Sequence, residues 1–234
     1  MKERDFSKEI RNAWSLVDKK LEIGRSAICL NSLAIDAAVR DVFLSEESSY
    51  ADIYRCALSR SSYNFILKDY SYFQFTWNSS DDWRLAFFPN PWLAGNQTAL
   101  QSLEEWETME SEGILADEDV SALLDDMPYI SAVPPIRFEY SRNQYKEIRH
   151  PCAHFHIGRH TENRWSSSLL IGPEAFVSLI SSQYYATEWS ALSRFSSEFS
   201  EYCIDEKFME IVSNLKFCPD FSENEKRLFH FGKG

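Results

Sequence analysis

Residues 137–142 read Arg-Phe-Glu-Tyr-Ser-Arg, and residues 150–160 read His-Pro-Cys-Ala-His-Phe-His-Ile-Gly-Arg-His. Apolar and polar residues alternate in both segments, and this is the period of a β-strand with one buried face. His154 and His156 therefore lie on the same face of their predicted strand. The second segment holds four of the chain's five histidines, so it is the first place to look for a functional site.

The strand period also occurs before these segments. Aromatic residues alternate with polar ones from Tyr63 onward, and Asn78-Ser-Ser-Asp-Asp82 is a turn-forming cluster between two such runs. Two strands separated by a short polar turn indicate an antiparallel hairpin. Pro89 and Pro91 end the second strand, because proline cannot donate to the hydrogen-bond ladder.

Helical patterns flank the strands. Apolar residues recur at helical spacing over 5–22, and further helices are predicted from Ala27 to Leu44 and from Thr187 to Ile204. We therefore predict an α+β fold in which N-terminal and C-terminal helices flank an antiparallel sheet. The predicted single domain, residues 1–234, comprises a helical layer (5–60), the sheet (63–92 and 135–168), an acidic helical insertion (97–127) and a second helical layer (172–231).

The negative charge is regional. The chain carries 36 acidic and 24 basic residues, and residues 85–136 contain ten of the acidic residues but no lysine or arginine. Thr98 to Gln101 has capping-box spacing, and Asp117 could cap a second acidic helix. An acidic surface repels nucleic acid and favours basic protein partners, although such a surface is most often only a solvated helical face.

The apolar runs, the first residues and the cysteines indicate the cellular compartment. No apolar run reaches the roughly 18 residues needed to span a bilayer, and the first residues do not resemble a signal peptide. The five cysteines are scattered and form no Cys-x-x-Cys pair, which favours reduced thiols. We expect a cytoplasmic protein that does not associate with a membrane. The sequence does not determine its oligomeric state.

Acid–base chemistry is the first hypothesis for the histidine segment. If the two strands pair, Arg137 and Glu139 lie on the face that carries His154 and His156. Imidazole titrates near neutral pH, so two imidazoles could act as general base and general acid on a phosphodiester while Arg137 stabilises the phosphate charge. These four residues are the predicted catalytic group. Predicted phosphate or nucleic-acid contacts come from Arg84, Arg149 and Arg164, because basic residues cluster around the histidines.

Two alternatives stay open for the same residues. No cofactor is required, but His154 and His156 could bind a divalent metal, with His150 or His160 nearby and Glu139 supplying oxygen. The metal ligands, if a metal is present, would be His150, His154 and His156. The third alternative is structural: the imidazoles only hydrogen-bond backbone groups at the edge of the sheet.

Five short motifs follow one another along the chain. They are Phe87-Phe-Pro-Asn-Pro91, Arg137-Phe-Glu-Tyr140, His150-Pro-x-x-His154-x-His156-x-Gly158, Pro173-Glu-x-Phe176 and Tyr184-Tyr185. In this order they resemble the bacterial domain of unknown function 2290 family. The resemblance covers about residues 60 to 186 and brings no established activity. It implies a bacterial cytoplasmic protein that works beside a partner, in the setting of toxin and phage-defence proteins, with an arginine expected before the helix, where Arg164 lies.

Two functions of different classes follow. The first is a phage-defence or toxin-like nuclease that acts on RNA through the histidine pair. The second is a non-catalytic sensor or accessory subunit of a defence complex, which binds a protein partner through its acidic helices. In the second case the histidine strand is structural or holds a ligand. RNA or another phosphate-bearing ligand is a possible partner beside the protein partner.

Overall fold

The computed structural model describes residues 1–94, 97–116, 118–119, 122–123, 127, 133–159, 162–193 and 202–232. Its strands are β1 Gly24–Ala27, β2 Phe65–Leu67, β3 Tyr72–Ser79, β4 Asp82–Phe88, β5 Ile136–Ser141, β6 Ala153–Ile157 and β7 Trp165–Ser166. Its described helices are α1 Glu3–Ser15, continued by a π-helical turn at Leu16–Lys20, α2 Ala37–Leu44, α3 Tyr50–Ser59, α4 Gln97–Ser111, α5 Pro173–Tyr184, α6 Ala186–Ala191, α7 Ile204–Ser213 and α8 Glu223–Lys226.

The strands form one antiparallel sheet in which sequence order and spatial order coincide. The hairpin predicted between β3 and β4 is present, with Ser79 opposite Asp82 at its tight turn. Helices lie before and after the strands in the chain, so the predicted α+β class with flanking helices is confirmed.

One face of the sheet carries the main hydrophobic core. Phe73, Phe138 and Phe155 point into it from alternate strand positions. Phe6 of α1 and Phe176 of α5 cover it from the other side, and both side chains are fully buried. The amphipathic helix predicted from residues 5–22 is therefore present in α1, which buries its apolar stripe against this face.

The opposite face of the sheet is divided. Helices α2 and α3 cover its first strands, where Tyr54 packs against Tyr72. Farther across the sheet, on β4, β5 and β6, the same face carries charged and imidazole side chains instead of apolar ones. The sheet thus keeps one apolar face and one mixed face, and the mixed face holds the predicted site.

The predicted helical layer at 5–60 contains one strand. The helix expected from Ala27 to Leu44 is wrong over its first part, because Gly24–Ala27 pairs with β2 and α2 begins only at Ala37. Asp36 sets this start: its carboxylate accepts the backbone N–H groups of Ala38 at 2.9 Å and Val39 at 3.2 Å. Apolar spacing alone did not mark this boundary.

The helix ends differ from prediction elsewhere as well. Thr98 lies inside α4, which begins at Gln97, so it is not the N-cap that its capping-box spacing predicted. The helix expected from Thr187 to Ile204 ends at Ala191, and part of that prediction lies outside the described residues. Asp117 and most of the second acidic helix also lie outside them. Within the part of the chain described, no helix has both the length and the apolar character needed to cross a membrane.

Candidate functional site

Strand pairing assembles the predicted group. β5 and β6 pair so that Arg137 lies opposite His156 and Glu139 opposite His154. Arg84 of β4 lies opposite Glu139 on its other side. Directly opposite residues in an antiparallel pair point to the same face, so these five side chains form one row of contacts, which we call the histidine face.

The two histidines contact each other through their Nε2 atoms, which lie 3.0 Å apart. His154 Nδ1 lies 2.8 Å from the carbonyl oxygen of Pro151. A carbonyl only accepts, so Nδ1 of His154 carries the proton and its Nε2 is the acceptor in the contact with His156. Both imidazoles are buried.

Glu139 completes the row. Its Oε1 atom lies 3.3 Å from Arg137 Nη1 and 3.9 Å from His156 Nε2. Its other oxygen lies 3.9 Å from Nε of Arg84. The ligand atoms of Glu139, His154 and His156 all lie within 4.8 Å of one another, which is a spacing that one metal ion can bridge.

Several buried nitrogen atoms on and around the histidine face lack hydrogen-bond partners among the described residues. Nε and Nη2 of Arg137, Nδ1 of His156, Nδ1 of His150 and Nε of Arg164 are buried and have no hydrogen-bond partner among the described residues. Buried polar groups are nearly always paired, so each exception needs an explanation. Guanidinium nitrogens only donate, and a ligand that offers acceptor oxygens would satisfy them.

The electrostatics follow from burial and from the arginines. Desolvation lowers the pKa of His154 to about 4. Desolvation, followed by the charge of Arg137, lowers the pKa of His156 to about 3. Burial opposes ionisation of Glu139, but the charges of Arg137 and Arg84 hold its pKa below the ordinary value. At neutral pH the group therefore holds two neutral imidazoles and one carboxylate.

The end of α2 borders the histidine face. The guanidinium group of Arg137 lies over the ring of Phe43, 4.4 Å from its centroid. Beyond α2, the carbonyl oxygen of Ser45 accepts a hydrogen bond from Arg159. These contacts fix the α2 end beside the strands, and Phe43 has no signal in the sequence that would have assigned it to the site.

The other predicted residues are placed unequally. His150 lies beside His154, with ring centroids 5.0 Å apart. The described residues that could hold one metal ion are nevertheless Glu139, His154 and His156, so Glu139 stands where His150 was predicted. Arg164 is close enough to lower the pKa of His150, after the larger effect of burial. Arg149 is exposed in the loop between β5 and β6, and no described contact connects it with the histidine face. His160 lies outside the described residues.

One further cluster was not predicted. Ligand atoms of Cys152, Cys218 and Asp220 also lie within 4.8 Å of one another. The alternation that puts His154 and His156 on one face would put Cys152 there too, but Cys152 precedes β6 and its side chain packs in the main core. The cluster joins segments that are 66 residues apart in the chain, and such a pairing has no local pattern in the sequence.

The comparisons identify a family. The model of the family described as "Uncharacterized conserved protein (DUF2290)" matches residues 24–233. This range includes all seven strands and both clusters. Neither the curated proteins nor the solved structures contain a match to this chain.

Proposed function

This chain belongs to the family of uncharacterized conserved proteins DUF2290, and we propose that it hydrolyses phosphodiester bonds in RNA with the help of a divalent cation. Glu139, His154 and His156 hold the cation, and Arg137 binds the phosphate with Arg84 and Arg164 at the margin. A role in phage defence or as a toxin, implied by the family resemblance, is part of the same proposal.

One observation carries the proposal. Nε2 of His154, Nε2 of His156 and an oxygen of Glu139 converge beside an arginine whose Nε and Nη2 atoms have no partner among the described residues. A bound cation would take the place of the proton that lies between the two imidazoles. Imidazole nitrogen and carboxylate oxygen are ligands for several divalent metals, including Zn²⁺ and Mn²⁺. Unpaired guanidinium donors suit phosphate oxygens, which can accept two hydrogen bonds from one fork.

Geometry favours metal binding over an acid–base pair. A metal-binding histidine typically donates its other ring nitrogen to a backbone carbonyl or a carboxylate, and His154 does so toward Pro151. A general acid must instead be protonated before it acts. Burial opposes that protonation in both His154 and His156, because the charged imidazolium is the form that loses hydration.

The arginines supply the electrostatic part. A bound cation would activate water and polarise a phosphoryl oxygen. Arg137 is largely buried, with 13% of its side chain exposed, so its charge acts in a medium that screens it weakly. Arg84 is more exposed than Arg137, so the polynucleotide approaches from the Arg84 side of the face. The arginines would then stabilise the negative charge on the phosphoryl oxygens as water adds, gives up its proton, and the leaving oxygen departs.

The test combines binding and cleavage. Mn²⁺ is the appropriate probe, because it prefers oxygen and nitrogen ligands and binds thiolates poorly. Calorimetric titration with Mn²⁺ should show one site in the wild type and none in a folded His154→Ala/His156→Ala variant. Labelled RNA and single-stranded DNA are then incubated with each protein, with and without chelator. His230→Ala is the matched control, since His230 lies outside the histidine face.

The outcomes separate the alternatives. Cleavage that needs both histidines and is abolished by chelator supports the proposal. Cleavage that survives chelator but not the double substitution overturns the metal part in favour of acid–base chemistry. Absence of both Mn²⁺ binding and cleavage in the folded wild type overturns the proposal as a whole.

A second candidate rests on a different surface. Glu104, Glu105 and Glu110 of α4 and Glu112 just after it are exposed, whereas Leu103 packs on the body of the protein. A helix that is anchored on one side and acidic on the other can dock a basic partner protein. We therefore keep an accessory subunit of a defence complex as the alternative proposal.

The acidic surface has its own test. Reversing the charges of Glu104, Glu105 and Glu110 to lysine should abolish co-purification with the partner protein. Glu107 is left intact because it anchors α4, bonding Tyr70 at 2.6 Å and pairing with Arg25 at 3.1 Å. Unchanged co-purification would eliminate this candidate.

A further inference from the structure

The second cluster lies on the core side of β6, away from the histidine face. Cys152 and Cys218 are both buried, at 2% and 4% exposure. The Sγ atom of Cys152 lies 3.8 Å from an oxygen of Asp220. Cys218 and Asp220 lie two residues apart in a turn, and this turn brings both side chains close to the thiol of Cys152.

This ligand set differs in chemistry from the first. Two sulfur atoms and one carboxylate oxygen favour Zn²⁺ over the harder ions Mg²⁺, Ca²⁺ and Mn²⁺. A tetrahedral zinc ion with ligand bonds of about 2.0 to 2.3 Å holds its ligand atoms roughly 3.5 Å apart. The observed separations need only a small contraction. The three protein ligands leave one position for water.

A basic side chain lies behind the carboxylate. Arg142 binds both oxygens of Asp220, with Nε 2.8 Å from Oδ2 and Nη2 3.0 Å from Oδ1. Two thiolates and one carboxylate carry three negative charges, and Arg142, which also lies 3.7 Å from Asp81, offsets part of them together with Zn²⁺. The arginine also fixes the carboxylate orientation, which is the usual role of a residue behind a metal ligand.

We propose that Cys152, Cys218 and Asp220 form a zinc site that fastens the C-terminal segment to the sheet. The backbone already connects these parts: Cys218 donates its N–H to Ser168 at 2.8 Å, and Leu170 donates to Lys216 at 2.8 Å. Zinc binding adds a coordination link just before β6, two residues before His154. The inference is independent of the proposed hydrolysis, since it uses none of the residues of the histidine face.

Cobalt(II) is the probe, because its bonds to thiolates give an intense charge-transfer absorption that nitrogen and oxygen ligands do not give. The wild-type protein, reduced and freed of metal, is titrated with Co²⁺ and then with Zn²⁺. We expect the absorption to rise to a plateau as Co²⁺ is added and to disappear when Zn²⁺ displaces it. We also expect Zn²⁺ to raise the midpoint of thermal unfolding.

Three variants make the test decisive. Cys152→Ser/Cys218→Ser should lose the absorption, Asp220→Asn should weaken cobalt binding at least tenfold, and Cys29→Ser should behave as the wild type. Asp220→Asn leaves both core thiols in place, so it reports even if the double variant fails to fold. Absence of the absorption in the wild type, its persistence in the double variant, or a Cys152–Cys218 disulfide in the protein as purified would each overturn the proposal.

Discussion

The Nε2 atoms of His154 and His156 lie 3.0 Å apart, closer than two protonated nitrogens can be. His154 is protonated at Nδ1, which lies against the carbonyl of Pro151, so in the metal-free protein the proton between the rings belongs to His156. A cation that displaces this proton would meet two imidazoles already aligned by the strand. The pairing of β5 with β6 adds Glu139 to them, so the fold itself preorganises the group.

Substitution of Glu139 tests the carboxylate as a metal ligand. Glu139→Gln removes the negative charge and keeps the shape of the side chain. We expect Mn²⁺ affinity and RNA cleavage to fall by at least roughly 100-fold, because even residues behind the ligands contribute 10- to 100-fold. Calorimetry and the cleavage assay measure the two effects. Glu162→Gln is the control, since Glu162 contacts Arg164 at 3.2 Å but its carboxylate is exposed. Equal losses in both variants would contradict a specific role for Glu139.

Substitution of Arg137 tests phosphate recognition. Arg137→Lys keeps the positive charge but loses the planar fork, so it cannot form two parallel bonds to a phosphate. We expect RNA affinity to fall roughly 10- to 100-fold, the value of one or two hydrogen bonds to a charged group, with little change in Mn²⁺ affinity. Arg149→Lys should change neither quantity, because Arg149 is exposed and no described contact connects it with the histidine face. If Arg149→Lys lost more RNA affinity than Arg137→Lys, the phosphate contact predicted for Arg149 would be supported instead.

The histidine face was predictable because two regular patterns intersect there. Strand alternation puts His154 and His156 on one face, and antiparallel pairing of the nearest strand adds Arg137 and Glu139. The sequence does not determine the register that puts these residues directly opposite one another. A shift of one residue would move every side chain of the strand to the other face of the sheet. Phe43 and the cysteine cluster were missed for a different reason: they join distant segments, and nothing local to α2 or to residues 217–221 marks the contact.

The histidines should make the metal-free protein less stable in acid. Burial lowers the pKa of His154 to about 4 and of His156 to about 3, from an ordinary value of 6.5. Between about pH 6.5 and 4 the unfolded chain therefore binds protons that the folded chain does not. The stability they contribute is present above pH 6.5 and is lost as the pH falls. His154→Gln should reduce this loss, by on the order of 1–3 kcal/mol. Urea unfolding in chelator at pH 7 and pH 5 measures it, with His230→Gln as control; parallel slopes in the wild type and His154→Gln would refute the prediction.

Glu9 should act in the opposite direction. Burial, and then the charge of Glu174, raises the pKa of Glu9 to about 7 from 4.5. The folded state binds the proton more tightly, so this contribution to stability is full below pH 4.5 and is lost as the pH rises through 7. Glu9→Gln, which is always neutral, should raise the free energy of unfolding at pH 8 by about 1–3 kcal/mol.

The histidines and Glu9 act in opposite directions on the pH dependence of wild-type stability. Glu9→Gln should therefore make the fall of stability in acid steeper. Glu3→Gln, an exposed change in the same helix, serves as control, and a stability gain equal to that of Glu9→Gln would refute the assignment.

Trp83 tests how the sheet holds α5. Its side chain is fully buried, and its Nε1 atom donates a hydrogen bond of 2.9 Å to the carbonyl oxygen of Ile171, just before α5 begins. Trp83→Phe removes this donor and leaves both an unpaired buried carbonyl and a small void. We expect a loss of about 2–4 kcal/mol in the free energy of unfolding, the combined cost of an unsatisfied acceptor and of lost packing.

Trp165→Phe is the control. It removes an indole that is 44% exposed, and it should cost less than about 0.5 kcal/mol. Urea unfolding compares the two variants. Because the hydrogen bond connects the strand next to β5 with the helix that covers the core, a cost no larger than that of Trp165→Phe would mean that α5 is positioned by apolar packing alone.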